Sequence, residues 1–369
     1  ILAGTPGSPA AALEDALARI RAVGPEGQGN TEAAKAWAEV AAAPADQLPR
    51  LLEAMNGAGD RARNYLVAAA ATIADRQLKS GKGLPIADLG EFLLNPSHAG
   101  PSRRLALELV AKADAATAEA MIPGLADDPA PELRREAVQR LITAAASRAS
   151  GDAKGAAVAL YQQALGFARD GDQVESITKA LKELGRTVDL VQRLGFLTRW
   201  QVIGPFDNKG GAGYDRVFPP ETAVQLDAEL DGLDGKVRWK EFVSDHEFGM
   251  VDFNKAYAPL KEVAGYAYQV FHSEADQRAE VRIGCKNGWK LWVNGRYVFG
   301  RDEYHRGAEI DQYRLPVDLK AGRNTLLVKL TQNEQKEEWT VEWEFQLRIT
   351  DPSGRVLRSA PPAAKVALR

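Results

Sequence analysis

The chain has few of the residues that most often signal chemistry. Its 369 residues include one cysteine, three methionines and four histidines. The single thiol, Cys285, excludes an internal disulfide framework and leaves the compartment open. The histidines are scattered, with no i, i+2 or i, i+4 pair, so the sequence offers no zinc-binding motif.

Charge of one sign and long apolar runs are also missing. The formal net charge is only −3 and there is no extended basic run, which argues against a nucleic-acid partner. No segment approaches the roughly 20 apolar residues that a membrane-spanning helix needs. The sequence therefore predicts neither nucleic-acid binding nor a transmembrane segment.

Catalytic motifs are absent as well. The sequence contains no G-x-S-x-G, H-E-x-x-H or C-x-x-C, and no phosphate-binding loop ending in Gly-Lys-Ser/Thr. With 50 acidic residues, no particular pair of carboxylates stands out as a glycosidase acid and nucleophile. We predict that the protein is not an enzyme.

The first residues suggest export. The chain starts at Ile1 without a methionine, and "ILAGTPGSPA" is compatible with a mature N-terminus left by cleavage of a signal peptide. We expect a processed product or a fragment of an exported protein, in the periplasm, at the cell surface or outside the cell.

Composition changes near residue 195, which predicts two domains, 1–195 and 196–369. Alanine, the best helix former, is concentrated in the first half. Six of the seven tryptophans follow residue 195, where aromatic residues favour pleated strands. The predicted fold class is multidomain α + β, with an α-helical, solenoid-like repeat domain followed by an antiparallel β-sandwich of the jelly-roll type.

The first half has the pattern of short amphipathic helices. In "DDPAPELRREAVQRLI", Asp128 is placed to cap a helix and Pro129 suits its first position. Apolar residues then recur on one stripe, at Leu133, Ala137, Val138, Leu141 and Ile142. No strict repeat period is visible, so the pattern indicates a degenerate α-solenoid, with an irregular helical bundle as the alternative.

The second half changes to a period of two. In "WTVEWEFQLRIT", Trp339, Val341, Trp343, Phe345, Leu347 and Ile349 alternate with polar residues, which predicts one long strand with a buried face. Further strands are predicted at Thr198–Ile203, Val237–Val243, Ala264–His272, Ala279–Cys285, Trp289–Val293, Arg296–Phe299, Tyr313–Leu319 and Asn324–Thr331. Asn294-Gly295 predicts a type I′ hairpin turn, because both central residues of that turn need positive φ.

Several stretches resemble a known family. "RWQVIGPFDNKGGAGYDRVFPPE", "GYAYQVFHS", "GCKNGWKLWVNGRYVF", "LKAGRNTLLVKLTQ" and "FQLRITDPSG" are similar, in this order, to a jelly-roll module of bacterial exported proteins. That module belongs to the galactose-binding-domain-like group and is related to the sugar-binding domain of family 2 glycoside hydrolases. The resemblance covers about Phe196 to Gly354. It implies a β-sandwich without a catalytic centre, associated with carbohydrate or protein binding and often appended to helical repeats.

Two shorter resemblances lie in the first half. "DDPAPELRREAVQRL" resembles one HEAT-repeat helix, and "AVALYQQALGFARDGD" resembles a tetratricopeptide-type helix. Each covers about one helix.

The chain departs from the family at one loop. Relatives usually carry S-D-D-G where this chain has Cys285-Lys286-Asn287-Gly288. The loss of two carboxylates weakens a calcium or sugar-hydroxyl role there. In relatives the position of Trp289 is usually small and aliphatic and that of Trp292 aromatic, so we interpret Trp292 as structural and Trp289 as the unusual residue.

Two loops and one tryptophan are the candidate binding residues. The candidate ligand contacts are Trp289, Asn287, Asp302, Tyr304, His305, Arg306 and Asp311, most of them in the loop "GRDEYHRGAEIDQY". In "FDNKGGAGYD", Asp207, Asn208 and Asp215 could offer oxygens to calcium, or could form a tight connection capped by Asx-turns. No other cofactor is predicted.

The sequence thus predicts a non-catalytic binding protein of the bacterial envelope or exterior. A helical scaffold would present a jelly-roll module that contacts carbohydrate through Trp289, Tyr304 and Arg306. The alternative is a structural subunit of a larger assembly that works through protein–protein contacts. A glycan-active hydrolase, or an accessory subunit of one, has only the family's neighbourhood in its favour.

Overall fold

The computed structural model describes residues 9–360, and the chain divides into two compact units, Ile1–Ala168 and Arg169–Arg369. The first unit is helical and the second is built from antiparallel β-sheets. The structure confirms the predicted fold class, a helical region followed by an antiparallel β-sandwich. Solenoid-like stacking and the jelly-roll topology stay predictions.

The described part of the first unit consists of helices joined by short turns. Their bounds are α1 (Pro9–Arg21), α2 (Asn30–Ala41), α3 (Leu48–Ala54), α4 (Asp60–Lys79), α5 (Ile86–Leu94), α6 (Gly100–Ala113), α7 (Ala115–Met121), α8 (Pro131–Ala146) and α9 (Lys154–Phe167). Alanine and leucine supply most of their shared core, which lets neighbouring helices approach closely. No helix in the described range is long and apolar enough to cross a bilayer.

Helix α8 shows how this unit is held together. It begins at Pro131 and not at Pro129, so the predicted cap at Asp128 is wrong. The Asp128 carboxylate instead accepts two hydrogen bonds from the Arg103 guanidinium, at 2.9 and 2.6 Å. Arg103 is 1% exposed, so the bidentate geometry compensates for the desolvation of both charges.

The described part of the second unit contains four α-helices, two short 3-10 helices and the strands of the sandwich. The helices are α10 (Gly171–Glu183), α11 (Leu190–Leu194), α12 (Pro219–Thr222) and α13 (Phe253–Ala256). The strands are β1 (Arg199–Asp207), β2 (Glu229–Asp231), β3 (Lys236–Arg238), β4 (Lys240–Val243), β5 (Val251–Asp252), β6 (Val263–Ser273), β7 (Gln277–Cys285), β8 (Gly288–Val293), β9 (Arg296–Arg301), β10 (Tyr313–Leu319), β11 (Gly322–Gln332) and β12 (Glu344–Thr350).

The strands form two packed sheets and one separate ribbon. One sheet has the order β4-β1-β6-β11-β8-β9, the other β10-β7-β12-β5, and β2 pairs with β3. Alternate residues of both sheets point inward and form one core, which includes Trp200, Phe253, Trp289, Trp343 and Phe345. Because successive side chains of a strand face opposite ways, the residues between them line the outer faces.

The outer face of the six-stranded sheet has a second apolar cluster. Phe206, Tyr266 and Trp292 of the sheet belong to it, and the ring of Phe218 packs on Phe206 and Tyr266. Trp292 is 9% exposed, in agreement with the structural role interpreted from the sequence. The chain around α12 therefore acts as a third layer over this sheet.

Two local predictions have opposite outcomes. Asn294 and Gly295 have φ of +53° and +72° and connect β8 to β9, so the predicted hairpin turn is confirmed. The long strand predicted from Trp339 is wrong in its first part, because β12 begins at Glu344. Trp339 lies in a short 3-10 helix and is 62% exposed, and Val341 is 42% exposed.

Candidate ligand-binding site

Trp289, predicted to contact a carbohydrate, lies inside the sandwich. Its side chain is 1% exposed, and the rings of Phe299 and Tyr313 pack on it with centroids 5.9 and 5.1 Å away. Its indole fills the space between the two sheets, where no ligand can stack on it. This corrects the role given to Trp289: the residue that is unusual in sequence is part of the core.

Asn287 is also internal. It is 1% exposed, its Nδ2 donates to the Glu342 carbonyl at 3.0 Å, and its Oδ1 accepts from the Glu344 amide at 3.2 Å. The side chain thus fastens the 285–288 loop to the start of β12. A ligand contact is not available to it, which is a second correction.

Asp311 pairs with two buried arginines instead of standing free for a ligand. Arg282 and Arg348 lie directly opposite each other on β7 and β12. The Asp311 carboxylate accepts from Arg282 Nη1 at 2.7 Å and from Arg348 Nε and Nη2 at 2.7 and 2.5 Å. Burial works against the charged carboxylate, but the two guanidinium groups outweigh it and hold the pKa of Asp311 below its usual value.

Tyr304 supports its loop from within. Its hydroxyl lies 2.7 Å from Thr331 Oγ1, and Asn208 Nδ2 donates to it at 3.4 Å. Burial raises the pKa of Tyr304, so the phenol stays protonated at neutral pH. The predicted carbohydrate contact is not supported for its hydroxyl, which is engaged inside the protein.

Next to Tyr304, His305 turns outward and meets an exposed tryptophan. His305 has φ +59°, its amide donates to the Lys286 carbonyl at 2.6 Å, and its Nε2 lies 2.9 Å from Asn333 Oδ1. The ring of Trp339 stands edge-on to the imidazole, with centroids 5.4 Å apart. His305 is the predicted ligand residue that lies beside an accessible aromatic surface.

The other two predicted ligand residues are exposed in the same loop. Arg306 follows His305 and its Nε lies 3.3 Å from Glu303 Oε2, an ion pair with little expected effect on stability. Partial burial and the charge of Asp215 raise the pKa of Asp302. Both residues are accessible, whereas the ring contact to Trp339 is made by His305.

The three residues predicted for calcium do not converge. Asp207 lies 3.7 Å from Arg216, and Asp215 lies 2.9 Å from Lys290. Asn208 is fully buried, and its Nδ2 donates to the Gln332 carbonyl at 3.0 Å. Among residues 9–360 no three His, Cys, Asp or Glu side chains are placed to hold a metal ion.

The result is a small mixed surface, which we call the Trp339 patch and define as Lys286, His305, Asn333, Trp339 and Glu342. Lys286 Nζ lies 2.8 Å from Glu342 Oε1, and the Lys286 carbonyl links this ion pair to His305 through the backbone. The patch combines an amide, an imidazole, an ammonium and a carboxylate with one exposed indole. It can stack a planar or ring-shaped ligand and hydrogen-bond its edges.

Trp339 was not predicted as a site residue, because the alternation of apolar and polar residues that is typical of a strand continues through its position. The only sequence signal against a strand at this point is the polar, charged stretch "NEQKEE" just before it. Such a stretch indicates a loop, but not where the loop ends.

The chain is distantly similar to several solved structures. No protein-family model matches it, and no curated protein matches it. The PA14 domain of the antifreeze protein MpAFP aligns at 12% identity over 26% of this chain and 48% of that chain, with a TM-score of 0.20. An RTX-adhesin PA14 sugar-binding domain aligns at 15% identity over 42% of this chain and 89% of that chain, with a TM-score of 0.23.

A third solved structure is similarly distant. An anti-sigma factor domain-containing protein from Clostridium clariflavum aligns at 12% identity over 46% of this chain and 50% of that chain, with a TM-score of 0.25. This chain spans about half the length of the MpAFP and Clostridium structures. At these TM-scores the similarity carries no functional argument.

Proposed function

We propose that the second unit is a non-catalytic carbohydrate-binding module of a protein of the bacterial envelope or exterior, and that it contacts glycan through the Trp339 patch. One observation carries the proposal: Trp339 is 62% exposed, whereas Trp200, Trp289 and Trp343 are each 1% exposed or less. Leaving a large aromatic side chain in water forgoes about 1.5–3 kcal/mol of burial free energy. A ligand that covers the indole would recover part of it.

The chemistry around Trp339 suits a sugar ring. One face of a pyranose is apolar C–H surface that can lie on an indole, while its rim carries hydroxyl groups. His305 stands beside the indole and its Nε2 lies within hydrogen-bond distance of Asn333, and the Lys286–Glu342 pair adds a donor and an acceptor to the patch. Sites that orient a small ligand typically place a small number of polar groups around an aromatic surface.

The proposal that the module is non-catalytic is supported by the protonation of its thiol and by the internal contacts of its polar side chains. Burial raises the pKa of the Cys285 thiol to about 12, so it is not a thiolate nucleophile at neutral pH. Asp311, Tyr304 and Asn287 are engaged in internal contacts. Location outside the cytoplasm rests on the resemblance of residues 196–354 to modules of exported proteins.

A glycan array with the intact chain tests the proposal. We expect a restricted set of bound glycans, lost on Trp339→Ala and kept on Tyr297→Ala. Tyr297 is the matched control because it is an aromatic residue 55% exposed at the β8–β9 hairpin. Absence of any bound glycan, together with a large oligomer by light scattering, would favour the assembly-subunit alternative.

A further inference from the structure

A concave surface lies within the same unit and shares no lining residue with the Trp339 patch. On the outer face of the four-stranded sheet, α10, the segment 246–250 and the segment 308–314 enclose a cleft of about 690 Å³. That volume is within the range of roughly 300–1,000 Å³ typical of small-molecule sites. The cleft is built by one compact unit, because all of its lining residues follow Arg169.

Negative charge dominates the rim of the cleft. Glu175 of α10 and Glu309 of the facing segment both line it, and Asp172 lies one helical turn before Glu175. Burial, followed by the charges of Asp172 and Glu309, raises the pKa of Glu175. The carboxylates therefore repel one another, and a bound cation would relieve the repulsion.

The charged neighbours do not cancel this field. Arg314 also lines the cleft, but its guanidinium lies 3.7 Å from Asp170. Asp311 is balanced by Arg282 and Arg348. Glu175 and Glu309 set the sign of the site, together with Asp172, which also lines the cleft; His246 is the remaining titratable side chain on its wall.

The floor of the cleft contains an acceptor without a donor. Gln346 of β12 is 4% exposed and lines the cleft, and its Oε1 accepts no hydrogen bond from the described residues. A buried carbonyl left without a donor costs about 1–3 kcal/mol. A ligand that brings N–H groups to Gln346 would remove this cost.

The remaining wall is apolar. Phe248, Met250 and Ile310 line the cleft next to the acidic rim. A fully hydrated ion gains nothing from such a wall, but an alkyl stem buries surface against it. No three metal-ligating side chains are grouped in residues 9–360, so an organic cation fits the cleft better than a metal ion.

We propose that this cleft binds a primary ammonium group carried on an alkyl stem, as in a polyamine or a lysine side chain. The ammonium would lie between Glu175 and Glu309 and donate to Gln346 Oε1, with the stem against Phe248, Met250 and Ile310. An ammonium has three donors and one positive charge, which suits the carboxylates of Glu175 and Glu309 and the side-chain carbonyl of Gln346.

Isothermal titration of the intact chain with 1,5-diaminopentane and with Nα-acetyl-lysine methylamide tests this proposal. We expect saturable binding of at least one probe, weakened at least tenfold by Glu175→Gln and by Gln346→Leu. Glu183→Gln is the matched control, since Glu183 ends the same helix and does not line the cleft. Preference for the diamine would identify a polyamine site, and preference for the lysine derivative a peptide side-chain site.

Two results would overturn the proposal: no binding of either probe, or an equal loss for Glu175→Gln and Glu183→Gln. A circular-dichroism melt verifies that each variant is folded. Gln346→Leu puts an apolar group of similar size at a buried position without a partner, so we expect it to fold. Trp339→Ala should leave diamine binding unchanged, which separates this site from the proposed glycan site.

Discussion

The Nζ of Lys329 lies 2.8 Å from Oε1 of Glu221, and the lysine side chain has no exposed surface. The same ammonium donates to the carbonyls of Tyr214 and Arg216 at 2.9 and 2.7 Å. One lysine of β11 thus holds the 214–221 segment over the outer face of the six-stranded sheet. Burial lowers the pKa of Lys329, and the hydrogen bond to Glu221 opposes that shift.

Lys329→Met should destabilise the protein by about 2–4 kcal/mol, because three acceptors lose their donor and Glu221 loses its counter-charge. Urea unfolding measures the effect. Lys290→Met is the control, since Lys290 is the cross-strand partner of Lys329 and its bond to Asp215 reaches a side chain 88% exposed. The control should lose less than about 1 kcal/mol. Equal losses for the two variants would show that Lys329 does not clamp the segment.

Asp311→Asn should cost about 3–5 kcal/mol, because it leaves the buried Arg348 without a carboxylate and leaves the opposite Arg282 with Glu280 alone. Asparagine tolerates the φ of +60° at this position, so backbone strain does not contribute. Chemical denaturation of Asp311→Asn and of the exposed control Asp302→Asn measures the difference. If Asp311→Asn were as stable as the control, the proposed structural role of the contacts between Asp311, Arg282 and Arg348 would be wrong.

The raised pKa of Glu344 leads to a prediction of how the stability of the protein depends on pH. Burial, followed by the charge of its cross-strand neighbour Asp252, raises the pKa of Glu344 from 4.5 to about 7. The folded protein therefore holds a proton that the unfolded chain has lost between these values, and stability falls as pH rises from about 4.5 through 7. Glu344→Gln should remove that fall and add about 1–3 kcal/mol at pH 8.

The free energy of unfolding at pH 5 and pH 8 tests the Glu344 prediction. Glu342→Gln is the control, because the Glu342 side chain is 41% exposed and pairs with Lys286. If the wild-type chain and Glu344→Gln show the same change between the two pH values, the pKa of Glu344 is not raised.

Much of the fold could be predicted from the sequence, because the periodicity of burial is visible in it directly. The burial of Trp343, Phe345, Leu347 and Ile349 and the Asn294-Gly295 turn are both seen in the structure. The polar residues Gln346 and Arg348 of the same strand are also buried, so the expected exposed face of this strand is wrong. The same alternation failed at Trp339 and Val341, because the pattern records which residues are apolar and not where the neighbouring strand ends. Pairing with β7 covers Phe345 to Thr350 and leaves Trp339 outside the sheet.

The site residues were harder to predict, because their roles depend on contacts across long stretches of chain. Lys329 looks like the polar member of a strand in "LLVKLTQ", and only the folding of residues 214–221 over that face buries it. In the sequence Asp311 has the pattern of an exposed loop residue. Its role depends on Arg282 and Arg348, which only the pairing of β7 with β12 places opposite each other. Polar, loop-rich sequence located the region of His305 but did not distinguish side chains with internal contacts from accessible ones.

The central claim, that Trp339 is the stacking surface of a glycan site, is tested most directly by calorimetry with a glycan bound by the intact chain. Covering the exposed indole contributes about 1.5–3 kcal/mol, so Trp339→Ala should raise the dissociation constant at least tenfold, with an unchanged melting temperature. Tyr297→Ala should stay within twofold of the wild-type value. Equal affinity of Trp339→Ala and the wild-type chain would contradict the account.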